Sequence, residues 1–207
     1  MTKSLNIVIP MKGLSRAKQR LKPELSVEQR EALALTLFRN TLQFLAVQHP
    51  KTPILVVTED RYIAQIAEKM GATVLIEQGD QGLNHALEQA SQWSLNAGFD
   101  SQLILPADIG HLDPLEIRYL IELGLSDAQV VIAAAKDGGT NALMTTPPNA
   151  ISPSFGIQSS MRHLAQAHQN GLSVKRLTLE KLSLDIDVSA DLQYWYQRTQ
   201  VKEFCYE

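Results

Sequence analysis

The chain has 207 residues, a formal net charge of −3 at pH 7 and one cysteine, and 44% of its residues are hydrophobic. This length and apolar content predict a single domain over residues 1–207 with a buried core. The small negative charge gives no support for a nucleic-acid or membrane partner. The lone Cys205 excludes a disulfide within the chain, and the apolar run Leu5–Pro10 is too short for a secretory signal. We therefore expect a cytoplasmic protein.

Apolar segments of strand length alternate with helical patterns through the first two-thirds of the chain. Strands are predicted at residues 5–9, 53–57, 72–76, 102–105 and 129–133. Helices are predicted at 26–45, 60–70, 83–97 and from 113 onward, with capping sequences that begin at Ser26 and Asp113. Strands that are apolar on both faces and separated by helices form parallel sheets covered on both sides. We therefore expect an α/β fold of three layers, αβα, around a mostly parallel mixed sheet.

The last third of the chain has a less regular pattern. It favours a strand at 142–145, a helix at 159–170, further strands at 172–179 and 182–187, and a final helix from Ser189 through Trp195. The last two strands are open to antiparallel pairing. The loop 146–156 is rich in Pro and Ser and is the candidate for a mobile segment.

A cluster of cations follows the first predicted strand. Lys12 comes just past its carboxyl end, where open α/β sheets bind ligands, so we expect Lys12 to contact a phosphate. Lys18 and Arg20 can reach the same ligand if the segment is an extended loop. The alternative is a solvated basic loop, and we favour that interpretation for Arg16.

Three carboxylates follow later strands. Asp108 comes directly after the strand at 102–105, and Asp185 and Asp187 alternate on a predicted strand, so they face the same way. Like charges side by side are costly unless a cation lies between them, and Mg²⁺ prefers hard oxygen ligands. The sequence therefore predicts a metal site of Asp108, Asp185 and Asp187. The alternatives are a turn cap for Asp108 and two surface aspartates for the pair.

Two glycine-containing segments allow bare backbone to approach an anion. The first is Gly138–Asn141, whose alternative interpretation is a hairpin turn. The second contains Gly156 and leads to Ser159 and Ser160 at a helix start, where they bind an anion or simply cap the helix. Asn84, near another helix start, reads a base edge or acts as a cap. Cations, carboxylates and bare backbone at one sheet edge suit a metal-bound polyphosphate, the substrate of nucleotidyl transfer.

In their order, these segments resemble the guanylyltransferases that build the phospho-linked precursor of the deazaflavin coenzyme F-420. These enzymes are known as 2-phospho-L-lactate or phosphoenolpyruvate guanylyltransferases. The matching pieces are Lys12 with Ala17-Lys18 and Arg20-Leu21, Leu83-Asn84 with Ala86-Leu87, Pro106-Ala107-Asp108, Gly138 to Leu143, Phe155-Gly156 with Ser159, and Asp185 with Asp187. The chain departs from the family pattern at Gln19, where a small hydroxyl residue is common. It also has Ile109-Gly110-His111 where Leu-Pro-Leu or a similar run is common.

The resemblance implies a nucleotide-diphospho-sugar transferase-like fold, GTP as the donor and Mg²⁺ as the cofactor. It implies that metal is held by Asp108, Asp185 and Asp187, and that the acceptor phosphate is held by Thr140, Gly156 and Ser159. The residues expected at the nucleotide are Lys12, Lys18, Arg20, Asn84 and Asp108. Of these, Lys12, Lys18 and Asp108 are expected to be catalytic.

The expected reaction is attack by the phosphate of a small phospho-acid on the α-phosphorus of GTP, with loss of pyrophosphate. A phosphate dianion is already a nucleophile, so positioning and charge neutralisation suffice without a general base. Phosphoenolpyruvate, 2-phospho-L-lactate and 3-phosphoglycerate are all left open as acceptors. The family also implies transient contact with the downstream deazaflavin transferase, and a homodimer is left open.

Two alternatives have different chemistry. One is a nucleotidyltransferase that acts on a molybdopterin or a sugar phosphate, which usually carries a glycine-rich loop followed by Arg-Met-Gly after the first strand. This chain has the single-glycine run Lys12-Gly13-Leu14-Ser15-Arg16 there, which disfavours that alternative. The other is a non-catalytic nucleotide-binding partner, which would not need three converging aspartates.

Overall fold

The computed structural model describes residues 3–79 and 81–199, so Cys205 lies outside the described residues. The strands are β1 Leu5–Pro10, β2 Ile54–Thr58, β3 Thr73–Ile76, β4 Ser101–Ile104, β5 Val130–Ala134, β6 Thr140–Thr145 and β7 Val174–Leu177. The helices are α1 Val27–Gln48, α2 Arg61–Lys69, α3 Leu83–Asn96, α4 Pro114–Ser126, α5 Ser159–Gln169 and α6 Ser189–Thr199. Two short 3-10 turns, Leu14–Arg16 and Gln19–Leu21, lie between β1 and α1.

The strands form one sheet in the order β3-β2-β1-β4-β6-β5-β7. The pairs β1–β2, β1–β4, β2–β3 and β5–β7 are parallel, whereas β6 runs antiparallel to both of its neighbours. The prediction of a mostly parallel mixed sheet is therefore confirmed. Strand order reverses at β1, next to β4, and ligands of open α/β sheets bind at such a point.

Helices cover both faces of the sheet because alternate strand residues are apolar on each side. On one face, Ile7 and Ile9 of β1 pack with α1, α2 and α4. On the other face, Val8 packs with α3 and α5. This arrangement confirms the predicted three layers. Within residues 3–79 and 81–199, none of the helices is long and apolar enough to cross a membrane.

Local signals near the site behave as the sequence predicts. Ser26 and Gln29 form a reciprocal capping box at the start of α1. Asp113 caps α4, since its Oδ1 accepts hydrogen bonds from the backbone N–H groups of Leu115 at 2.9 Å and Glu116 at 3.1 Å. These caps fix where the loops after β1 and β4 end.

One strand prediction in the last third is wrong, and another is confirmed over a shorter range. Residues 182–187 form no strand: this segment makes one isolated antiparallel bridge, Ile109 with Asp185, to the loop after β4. Because the segment pairs with a loop and not with a sheet edge, the bridge does not continue into a ladder of strand hydrogen bonds. The segment 172–179 forms only β7, Val174–Leu177, which lies parallel to β5 and not antiparallel. The final helix continues beyond Trp195 to Thr199.

Candidate active site

An open pocket lies at the carboxyl ends of β1 and β4, where the sequence places the ligand. It is lined by Pro10, Met11, Lys12, Arg16, Ala17, Lys18, Ala34, Leu37, Leu83, Pro106, Ala107, Asp108 and Asp187. The walls thus combine apolar side chains of α1 and α3 with two lysines and two carboxylates. Asp185 is not one of these lining residues; it borders a smaller cavity closed by α6.

The three aspartates predicted as a metal site lie together. Carboxylate oxygens of Asp108, Asp185 and Asp187 lie within 4.8 Å of one another. Backbone pairing brings them there: the Ile186 N–H donates to the Asp108 carbonyl at 3.1 Å, and the Gly110 N–H donates to the Leu184 carbonyl at 3.2 Å. The loop after β4 and the segment before α6 are therefore held as a unit, which presents three hard oxygen ligands to one space.

Asp185 has the most perturbed charge of the three. Burial, followed by the neighbouring Asp108 carboxylate, raises the pKa of its carboxyl from the ordinary 3.8 to about 6. Asn141 on β6 opposes this effect weakly, since its Nδ2 lies 3.4 Å from Asp185 Oδ1. The cluster thus carries an excess of negative charge that a cation would relieve. The residues present fit a divalent metal, because all three offer carboxylate oxygens.

Lys18 is the cation that the fold inserts among these carboxylates. Its Nζ lies 3.1 Å from Asp108 Oδ2 and 3.5 Å from Asp187 Oδ1, and only 5% of its side chain is exposed. The segment is not one extended loop: two 3-10 turns flank Lys18, which has a left-handed backbone with φ 48°. This bend directs Lys18 and Arg20 to the same carboxylate, with Arg20 Nη1 3.2 Å from Asp187 Oδ2.

Arg30, which was not predicted as a site residue from the sequence, supports the Lys18 turn. Arg30 is 4% exposed, and its Nη1 donates to the Ala17 carbonyl at 3.1 Å. Its Nε is buried without a hydrogen-bond partner in the described part of the chain. The available signal was its spacing, since Arg30 occupies the same helical stripe of α1 as Leu33 and Leu37.

The other two cations of the cluster lie at the pocket's edge. Lys12 is exposed and lines the pocket, and its contact with a phosphate stays a prediction. Arg16 is not simply solvated, because its Nη2 pairs with Glu59 Oε1 after β2. Glu59 also accepts a hydrogen bond from the Gly13 N–H at 3.0 Å, which ties the basic segment to β2.

The three residues expected at the acceptor phosphate are linked through Ser159. Ser159 Oγ donates to Thr140 Oγ1 at 2.9 Å, and the Ser159 N–H donates to the Gly156 carbonyl at 3.1 Å. The alternative that a serine caps α5 is wrong: the N-cap is Gln158, in a left-handed conformation that offers no side-chain cap. Ser160 Oγ instead donates to the Gly138 carbonyl at 2.8 Å.

The Gly138-Gly139 segment is a hairpin turn, as the alternative interpretation held. Ala135 N–H donates to the Gly139 carbonyl at 3.0 Å, and the turn leads directly into β6 at Thr140. Successive residues of β6 then face opposite ways. Thr140 faces α5, while Asn141 faces the acidic cluster and donates to the Leu182 carbonyl at 3.0 Å. The start of β6 therefore connects the Thr140–Ser159 hydroxyl pair to the three-aspartate cluster.

Asn84 neither caps α3 nor has a free amide. The N-cap of α3 is Gly82. Asn84 Oδ1 accepts from the Phe155 N–H at 2.7 Å, and its Nδ2 donates to the Phe155 carbonyl at 3.2 Å. The structure therefore brings Asn84 to the loop that carries Gly156, and its contact with a base stays a prediction.

The fold is that of the nucleotidyltransferases. A nucleotidyl transferase from Methanothermobacter thermautotrophicus aligns with a TM-score of 0.68 at 15% identity, covering 97% of this chain and 99% of that chain. A cytidylyltransferase from Leptospira borgpetersenii aligns with a TM-score of 0.61 at 13% identity, covering 99% of this chain and 100% of that chain. At such identities the likeness concerns the fold alone.

Sequence comparison defines the family. The family described as guanylyl transferase CofC like matches residues 5–200, and the chain belongs to this family of coenzyme F-420 biosynthesis. It is 46% identical to the 3-phospho-D-glycerate guanylyltransferase of Colwellia psychrerythraea, over 91% of this chain and 89% of that protein. It is 35% identical to a phosphoenolpyruvate guanylyltransferase of Sphaerobacter thermophilus (90% and 89%). It is 36% identical to the 2-phospho-L-lactate guanylyltransferase of Methanothermobacter thermautotrophicus (89% and 81%). The protein is thus a guanylyltransferase-type enzyme.

Proposed function

We propose that this protein transfers GMP from GTP to the phosphate of a small phospho-acid, with 3-phospho-D-glycerate as the first candidate. The observation that carries the proposal is the cluster of Asp108, Asp185 and Asp187 with Lys18 inserted, at the edge of a nucleotidyltransferase sheet. The choice of acceptor follows the relative at 46% identity. Phosphoenolpyruvate and 2-phospho-L-lactate belong to relatives at 35% and 36%, and they are the next candidates.

The proposed roles follow from position and charge. Lys12, Lys18 and Arg20 bind the phosphates of GTP, and Lys18 stands between the nucleotide pocket and the carboxylates. Mg²⁺, held by the three aspartates, supplies neutralisation of the triphosphate charge when bound. The single sheet that carries all of these groups supports one catalytic domain.

The acceptor phosphate is held by Thr140, Gly156 and Ser159. One of its oxygens attacks the α-phosphorus of GTP; a new P–O bond forms while the bond to the pyrophosphate leaving group breaks. The dianion needs no base, so the protein's contribution is alignment and charge. The product is a diphosphate in which a phosphoanhydride bond joins the phospho-acid to GMP. It is prone to hydrolysis, which supports direct transfer to a downstream deazaflavin transferase.

The test is turnover by the pure protein. GTP, Mg²⁺ and each of the three phospho-acids are incubated with inorganic pyrophosphatase, which removes the product and pulls the reaction forward, and phosphate release is measured. We expect turnover with at least one acceptor, and absence of turnover with all three would refute the proposal.

A variant pair separates an enzyme from a nucleotide-binding protein without activity. Asp108→Asn is expected to lower turnover at least 100-fold while GTP still binds. Asp113→Asn is the matched control, because Asp113 lies five residues further on and its side chain, within the described residues, caps α4 and pairs with Lys181. Equal activity of both variants would contradict the role given to Asp108.

A further inference from the structure

His163 belongs to none of the motifs in the sequence, but the structure places it at the centre of the acceptor cluster. His163 lies on α5 and is fully buried, with its ring edge against Phe155 at a centroid distance of 5.2 Å. Both ring nitrogens are engaged. Nε2 lies 2.9 Å from the Ser154 backbone nitrogen, and Nδ1 lies 3.1 Å from Thr140 Oγ1.

The contacts define which ring nitrogen carries the proton. A backbone N–H is only a donor, so His163 Nε2 must accept from Ser154. The ring is then neutral with its proton on Nδ1, and Nδ1 donates to Thr140 Oγ1. Burial also lowers the pKa of His163 to about 4, which agrees with a neutral ring at physiological pH.

This tautomer sets the direction of the Thr140 hydroxyl. Thr140 Oγ1 accepts one hydrogen bond from His163 Nδ1 and a second from Ser159 Oγ. A hydroxyl oxygen has two lone pairs, and both are now used. Its own proton is left to donate, and a phosphate oxygen is an acceptor. The network therefore turns Thr140 into a donor.

The same ring also fixes the loop that carries Gly156. Its Nε2 accepts a hydrogen bond from the N–H of Ser154, two residues before Gly156. The backbone N–H and carbonyl of the next residue, Phe155, both bond to the side-chain amide of Asn84. Side chains of α3 and α5 thus clamp this loop from two directions.

We propose that His163 is a positioning residue for the acceptor: it orients the Thr140 hydroxyl as a phosphate donor and fixes the Gly156 loop beside it. This role rests on the proposed function. It assigns to one buried side chain the orientation of Thr140 and the placement of the Gly156 loop, and it predicts that the acceptor side of the site can be weakened without affecting GTP.

The test is steady-state kinetics of three variants with GTP and 3-phospho-D-glycerate, or whichever acceptor the wild type uses. His163→Phe keeps a ring and loses both hydrogen bonds, so we expect the KM for the acceptor to rise at least tenfold while the KM for GTP changes less than about twofold. His163→Asn keeps a donor near the Nδ1 position and His163→Gln keeps an acceptor near Nε2, so each is expected to recover part of the loss. His168→Phe, at an exposed position of the same helix, is the matched control.

Two further measurements keep the inference falsifiable if His163→Phe does not fold. Nitrogen-15 spectra of the wild-type histidine rings should show His163 as the Nδ1–H tautomer; an Nε2–H tautomer would overturn the inference. A double-mutant cycle of Thr140→Val with His163→Gln, which loses the donor to Thr140, should be non-additive, because the histidine acts through the threonine. Additive effects, or equal rises in both KM values, would also overturn it. A wild type without turnover on any acceptor refutes the proposed function and this role together, whereas an active wild type with unaffected His163 variants refutes only this role.

Discussion

Replacing Asp185 with Asn should stabilise the metal-free protein at neutral pH. Asp185 is ionised at pH 7 although burial and Asp108 raise its pKa from the ordinary 3.8 to about 6. That difference corresponds to about 3 kcal/mol, which we reduce to about 1–2 kcal/mol because the group is partly exposed. The variant keeps an oxygen that accepts from Asn141 and removes only the charge. We therefore expect its free energy of unfolding to exceed that of the wild type by about 1–2 kcal/mol at pH 7.5.

The pH dependence has a definite sign. Well below the unfolded pKa of 3.8, the Asp185 carboxyl is protonated in the folded and the unfolded state, so its charge costs nothing. Between pH 3.8 and about pH 6 the carboxyl ionises more readily in the unfolded state than in the folded state, so the folded protein loses stability as the pH rises. The advantage of Asp185→Asn should therefore grow between pH 4.5 and pH 7 and then level off.

Urea unfolding followed by circular dichroism, in buffers with EDTA across this pH range, measures the difference. Adding Mg²⁺ should then stabilise the wild type more than the variant, since ligand binding to the folded state adds to its stability. Asp113→Asn is the control, and its effect on the free energy of unfolding should have the opposite sign. The hydrogen bond from Lys181 lowers the pKa of Asp113, so the ionised carboxylate stabilises the folded protein and its removal should destabilise it at pH 7.5. A variant that is no more stable than the wild type at pH 7.5, or equally advantaged at pH 4.5 and 7.5, would refute the reasoning.

Two further substitutions test the supports of the site. Arg30→Met removes the hydrogen bond to Ala17 together with a buried cation whose Nε has no partner in the described residues. We expect the free energy of unfolding to change by less than about 1 kcal/mol while the KM for GTP rises about tenfold. An unchanged KM for GTP in an initial-rate assay would contradict this. Gly110→Ala places a Cβ 2.9 Å from atoms of Ile186 and Trp195. Urea unfolding should therefore show a free energy of unfolding lower by about 1–3 kcal/mol, together with lower turnover. A decrease below about 0.5 kcal/mol would count against this packing.

The sequence was sufficient for features that depend on neighbouring residues. The strands of the first two-thirds, the capping box at Ser26 and the cap at Asp113 each involve side chains and backbone within a few positions. The convergence of Asp108 with Asp185 and Asp187 was also predicted, because like charges favour a shared cation. The predicted strand that was to carry the pair is absent, and a single bridge to the loop after β4 brings them there instead.

The errors occur where a segment's partner is remote. Residues 182–187 have the composition of a strand, but their partner is the loop after β4, so a single bridge forms. Asn84 has the position of a cap, yet its amide is used by Phe155, which lies 71 residues away in the chain. In both cases the local pattern was compatible with the predicted role, but a backbone group distant in the sequence provided a different hydrogen-bond partner.

The amino-acid order alone determined the layers, the strand ends that carry charge, and the kinds of side chain available there, because periodicity and capping are local properties. Only the tertiary structure decided that Arg30 supports the Lys18 turn and that His163 joins Thr140 to the Gly156 loop. A lone arginine or histidine on a helix carries no sign of the group that it will meet. That group is set by how α1 and α5 pack against loops from elsewhere in the chain, and burial then makes each hydrogen bond obligatory.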